Sequence, residues 1–74
     1  MKFDAEINQI KTYDKVYFTW RTWDNFSRRA NPADYRLMSS SEAINKIWDR
    51  LPSIYTITIN VDEDYPYPLV QANL

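Results

Sequence analysis

The 74-residue chain has no glycine, no cysteine and no histidine. Without cysteine and histidine, zinc sites of the usual kind, iron–sulfur clusters, disulfide scaffolds and Cys- or His-based catalysis have no ligands or nucleophiles to draw on. Without glycine, phosphate-cradling loops are excluded, because their backbone must come close to the ligand. Turns that need positive φ then fall to Asn or Asp, with Asn25, Asn31 and Asn60 as candidates. Long apolar runs are missing too; none approaches the ~20 residues that span a bilayer, so no membrane partner is expected. Nine Lys and Arg stand against ten Asp and Glu, a net charge of -1. That balance argues against a chain that coats nucleic acid and equally against a wholesale DNA mimic.

A chain of this length is expected to form one domain, residues 1–74, and to bury only about 60% of its unfolded surface. Aromatic residues, 16% of the total, must supply much of the core. The opening Met1-Lys2-Phe3-Asp4-Ala5-Glu6 meets acid at once and has no apolar h-region, so no signal peptide is expected. With no sign of an oxidising compartment, the expectation is a cytoplasmic protein.

The clearest element is a helix from about Ser40 to Leu51. Ile44, Ile47, Trp48 and Leu51 recur at i, i+3, i+4 and i+7 on one face, opposite Glu42, Asn45, Lys46, Asp49 and Arg50. Ser39 and Glu42 form a capping box, Arg50 complements the dipole in the last turn, and Pro52 disfavours αR at Leu51. A strand follows over Ile54–Val61, with Tyr55, Ile57, Ile59 and Val61 on one side and Thr56, Thr58 and Asn60 on the other. A second strand runs from about Lys15 to Trp23, with Val16, Phe18 and Trp20 facing away from Tyr17, Thr19, Arg21 and Trp23.

In the first ten residues Met1, Phe3, Ala5 and Ile7 alternate with polar residues as in a strand, while Phe3, Ile7 and Ile10 also fit one helical face. Thr12-Tyr13-Asp14 as a hairpin connection favours the strand. Asp24 to Pro32 reads as a loop, and Tyr35-Arg36-Leu37 as a short strand leading to the helix. Residues 62–74 read as an acidic arm whose Tyr65-Pro66-Tyr67-Pro68 favours polyproline II and opposes interior strand pairing. The expected fold is therefore α+β: a small antiparallel sheet of three to four strands with one amphipathic helix, in the order βββαβ.

Two surfaces carry candidate chemistry. Residues 21–36 hold Arg21, Arg28, Arg29 and Arg36 against Asp24 and Asp34, whereas residues 51–74 hold Asp62, Glu63 and Asp64 with no basic residue. The two patches also suit an arrangement in which they simply face each other. Tyr17, Arg21 and Trp23, with Arg28 and Arg29 beyond, bring together the residue types enriched at protein–protein hot spots; the same types can stack unpaired bases. Packing of Tyr17 or Trp23 under the tail is the structural alternative. In the tail, Tyr65, Tyr67, Leu69 and Val70 beside the three acids form an acidic–aromatic segment suited to a basic protein groove, or equally to covering the chain's own sheet edge. The carboxylate run lacks the glycine and the spaced acid of an EF-hand, so a solvated end that discourages edge pairing is expected rather than a metal site. Ser39 to Ser41 have no histidine to activate them, and capping accounts for the run.

The segment Ser39-Ser40-Ser41-Glu42-Ala43-Ile44-Asn45-Lys46-Ile47-Trp48-Asp49-Arg50-Leu51-Pro52 is similar to a helix that follows three strands in one anti-CRISPR family. In size and layout the whole chain resembles small phage-encoded anti-CRISPR and other anti-defence inhibitors. The resemblance covers about a fifth of the chain and transfers no functional residue. It implies stoichiometric binding to a host enzyme or nuclease complex. The expectation is a non-enzymatic inhibitor without cofactor or metal that binds a larger protein through Tyr17, Arg21, Trp23, Arg28, Arg29, Asp62, Glu63, Asp64, Tyr65 and Tyr67. The alternative is a single-stranded nucleic-acid binder using the Arg/aromatic face.

Overall fold

Ser39 takes an extended backbone and its Oγ accepts a hydrogen bond from the Glu42 amide at 3.2 Å, which starts a helix over Ser40–Arg50. Leu51, at ψ 142°, has already left helical space, as the following proline requires. The structure, a computed structural model, describes residues 2–21 and 35–73. Its elements are α1 (Asp4–Ile10), β1 (Lys15–Arg21), β2 (Arg36–Ser39), α2 (Ser40–Arg50), β3 (Thr56–Asn60) and β4 (Leu69–Asn73). The α+β class holds, with the order αββαββ in place of βββαβ.

The four strands form one mixed sheet in the order β2-β1-β4-β3. The outer pairs are antiparallel, as expected, but the central pair β1 and β4 is parallel, with Phe18 beside Val70 and Trp20 beside Ala72. The tail therefore contributes an interior strand and is not an arm over an edge. Its prolines stay outside the ladder: Pro68 immediately precedes β4, and its carbonyl accepts from the Tyr17 amide at 2.8 Å. Proline lacks only the donor, so placing it at the strand's entrance costs the sheet nothing.

The first ten residues are the other correction. Phe3, Ile7 and Ile10 are buried while Ala5 is exposed, so the helical spacing and not the alternation matches the burial. Asp4 and Glu6 in the first turn suit the helix dipole. Thr12-Tyr13-Asp14 then connects a helix to a strand; the Tyr13 amide bonds back to the Ile10 carbonyl at 3.1 Å.

Burial along β1 follows the expected alternation at Val16 and Phe18 and departs from it at Thr19, which is buried although it lies on the opposite face. Val16 and Phe18 are buried and Trp20 packs beside them, joined by Met38, Val70 and Ala72 to Phe3 just before α1, Ile7 and Ile10 within it, and Ala43 and Ile47 of α2. Trp48, expected on the inner face of α2, is 51% exposed. The buried stripe runs through Ser40, Ala43 and Ile47, and Trp48 sits a further ~100° round from Ile47. β3 is an edge strand, so Ile57 and Ile59 are only half-buried. Val61 and Tyr55 lie outside it; Val61 is exposed, and Ile54, assigned to neither side above, is buried in the connection where strand parity no longer applies. Among the described residues none has positive φ. Asn60 lies in β3, and Asn25 and Asn31 fall outside the described residues.

Candidate interaction surface

The strand register assigns Tyr17, Thr19 and Arg21 to the sheet face opposite Val16, Phe18 and Trp20, together with Leu37, Leu69, Gln71, Asn73, Thr56, Thr58 and Asn60. The two ends of this face differ. At one end Leu37, Tyr17, Leu69 and Asn60 stand side by side across the four strands, and the β3–β4 connection, residues 61–68, leaves and returns there.

That connection is organised by Asp62. Its Oδ1 accepts from the Asp64 amide at 3.0 Å and its carbonyl accepts from the Tyr65 amide at 3.0 Å. An Asx-type turn of this kind lets an acid do what glycine does in other loops, by bonding its own backbone two residues on. It also fixes where Tyr65 and Tyr67 go. Both rings meet Tyr17 edge to face, at centroid distances of 5.6 and 6.0 Å and interplanar angles of 71° and 64°. The three tyrosines, with Tyr35, Leu69, Asn60 and Asp62, line a cavity of about 220 Å³. Around it Leu37, Val61 and Tyr65 are exposed. Glu63 and Asp64 project from the same loop into solvent.

The structure thus joins the two surfaces, in the arrangement of the alternative that packs Tyr17 against the tail. Tyr17 of the strand face and Asp62, Tyr65 and Tyr67 of the tail form one cluster, with Glu63 and Asp64 beside it. Arg21 shares the face but stands four residues along β1, about 13 Å from Tyr17 at the usual rise per residue. It pairs with Asn73, and its Nε is buried without a hydrogen-bond partner among the described residues. Trp23, Arg28 and Arg29 lie outside the described residues. Leu69, already named in the acidic–aromatic segment, joins the cluster, as do Tyr35, Leu37 and Asn60, which had not been singled out for binding. Their only signal is strand parity, which becomes informative once the β1–β4 and β3–β4 registers are known.

Two hydroxyls of the serine run, those of Ser39 and Ser40, are occupied structurally. Ser39 caps α2, and the Ser40 Oγ donates to the Tyr13 carbonyl. Among the described residues no group of three or more side chains of metal-ligating type comes together, and no described helix is long and apolar enough to cross a membrane.

No protein-family model matches the sequence, and no curated protein or solved structure matches it. The fold and the surface are the basis for a functional reading.

Proposed function

We propose that this chain is a non-enzymatic inhibitor that binds a larger protein through the Tyr17–Tyr65–Tyr67 end of its sheet and blocks a functional surface of that protein. One observation carries the reading: mutually packed tyrosine side chains and three carboxylates share one end of a sheet face. Tyrosines held against one another lose little further freedom on binding, and they offer large contact area with a polar tip. The carboxylates favour a basic partner surface, including one that otherwise meets phosphate, and speed encounter with it. A standard interface takes about 800 Å² from each partner, a modest share of the 5080 Å² this molecule exposes. Engagement of the Ser39 and Ser40 hydroxyls in structural hydrogen bonds fits a protein that acts by occupancy. The resemblance of residues 39–52 to an anti-CRISPR helix suggests a host nuclease complex or other host enzyme as the target, in a cytoplasmic setting.

Affinity capture with the tagged chain tests this, comparing the wild type with the double variant Tyr65→Ala/Glu63→Lys. Both positions are exposed, so the variant should keep its far-UV circular dichroism and lose its partner. Equal capture by the two proteins would sink the reading.

The second reading, a single-stranded nucleic-acid binder, draws on the same tyrosines as stacking platforms. Asp62, Glu63 and Asp64 beside them oppose phosphate. Titration of labelled single strands at low and high salt separates the two: the inhibitor shows no appreciable affinity, whereas a nucleic-acid binder weakens steeply as salt rises.

A further inference from the structure

Resting on the reading above, we infer that the tyrosine-lined cavity is a receptor for one cationic side chain of the partner, a guanidinium or an ammonium head. Size is the first argument. About 220 Å³ falls below the roughly 300–1,000 Å³ of pockets that take whole small molecules, and suits the end of a single side chain.

The walls are the second argument. Tyr65 and Tyr67 stand steeply inclined to Tyr17, at 71° and 64°, so the cavity meets aromatic surface in more than one plane. Ring faces carry the negative part of the aromatic quadrupole and attract cations placed over them. An anion would meet the Asp62 carboxylate and gain nothing from ring faces, whereas a purely apolar group would gain only burial against the rings and Leu69 and would leave that carboxylate without a partner.

Charge is the third. Among the described residues, Asp62 is the one lining residue with an ionisable carboxylate, and no Lys or Arg lines the space. Its Oδ1 is already bonded to the Asp64 amide, which leaves the second carboxylate oxygen to accept from an incoming donor. Asn60 offers a further amide oxygen in the same wall. A cationic head therefore finds aromatic rings, a carboxylate and a neutral acceptor together in one lining. Glu63 and Asp64, exposed just outside, raise the local concentration of cations at the entrance.

The test needs no partner. Ring and backbone NMR resonances are followed during titration with N-acetyl-arginine amide, N-acetyl-lysine amide and, as the uncharged isostere, N-acetyl-citrulline amide. The expected result is a saturable shift of Tyr17, Tyr65, Tyr67 and Asp62 with arginine or lysine, at least about tenfold weaker with citrulline, as loss of a charged hydrogen bond implies. Which of the two cations binds more tightly identifies the head group the cavity prefers. Asp62→Asn keeps the Oδ1 that builds the turn and removes the charge, so it should weaken binding about tenfold with the loop intact. Tyr65→Leu, at an exposed position, should weaken it about threefold or more.

Equal affinity for arginine and citrulline, or an unchanged affinity in Asp62→Asn, would overturn the proposal, as would shifts confined to another part of the molecule. These outcomes are independent of partner capture. A cavity indifferent to cations can coexist with loss of capture in Tyr65→Ala/Glu63→Lys, and a cation-selective cavity can coexist with full capture, so each claim fails on its own result.

Discussion

Arg50, in the last turn of α2, holds its guanidinium carbon 4.6 Å from the centroid of the Trp20 ring in β1, and the Lys46 ammonium lies 5.8 Å from the same ring. Two cations one helical turn apart therefore grip an aromatic ring on the sheet's inner face. The charged heads themselves lie over the half-buried ring, and both side chains keep part of their surface in water. Arg50→Gln should cost about 0.5–1 kcal/mol, with a smaller loss for Lys46→Gln, read as the midpoint of urea denaturation. An unchanged midpoint in both variants would show that the ring contacts contribute nothing to docking the helix.

The short helix α1 is part of the core. Ile10 is fully buried, and it packs with Ile7 and Phe3 in the same cluster as Phe18 and Ile47. Ile10→Ala should cost about 2–5 kcal/mol. In a domain of this size that lowers the melting temperature by about 10 °C or more. A change of only a degree or two would place residues 4–10 outside the cooperative unit.

Removing residues 69–74 takes away β4, which lies between β1 and β3 and contributes the fully buried Val70 and Ala72. β3 then loses its only neighbour and β1 loses one of two, leaving backbone donors and acceptors unpaired. The truncated chain should show no cooperative melt by circular dichroism. Retention of a sharp transition would mean that the tail is dispensable after all.

Ser39→Ala removes the side-chain acceptor for the Glu42 amide and should cost about 1 kcal/mol, whereas Ser39→Asp should keep most of the stability. The pair of chemical-denaturation curves checks this. An equal loss in both variants would assign the effect to the pairing of Ser39 with Lys15 in the sheet and not to the cap.

The α2 boundaries were legible because each signal lies within a few residues of what it controls: Ser39 and Glu42 at one end, Leu51-Pro52 at the other. The β1 faces were legible for a similar reason, since β-strand geometry alone separates Val16, Phe18 and Trp20 from Tyr17, Thr19 and Arg21. In the first ten residues both periods fitted Phe3 and Ile7, and what decides between them is whether Ile10 or Ala5 has a core to enter. Trp48 shows the same limit. Its spacing suited the apolar stripe, but the small Ala43 and Ser40 let the helix approach along a neighbouring line.

The binding end was half legible. Tyr17 and the Tyr65–Tyr67 pair stood out as separate features, and packing of Tyr17 under the tail was one of two arrangements their residue types allowed. Their meeting depends on a parallel register that sets Tyr17 beside Leu69, 52 positions later in the chain. Such pairing leaves no local trace, because it is chosen by which strands can bury Val70 and Ala72 against the helices.

Composition by itself closed off thiol and imidazole chemistry, and short-range spacing dictated the second helix and the alternation of the first strand. Only the folded molecule made the tail an interior strand and turned an acidic loop and a strand tyrosine into one surface. The reason is that capping and pleat act between neighbours in the chain, whereas sheet order is settled by competition for a single shared core.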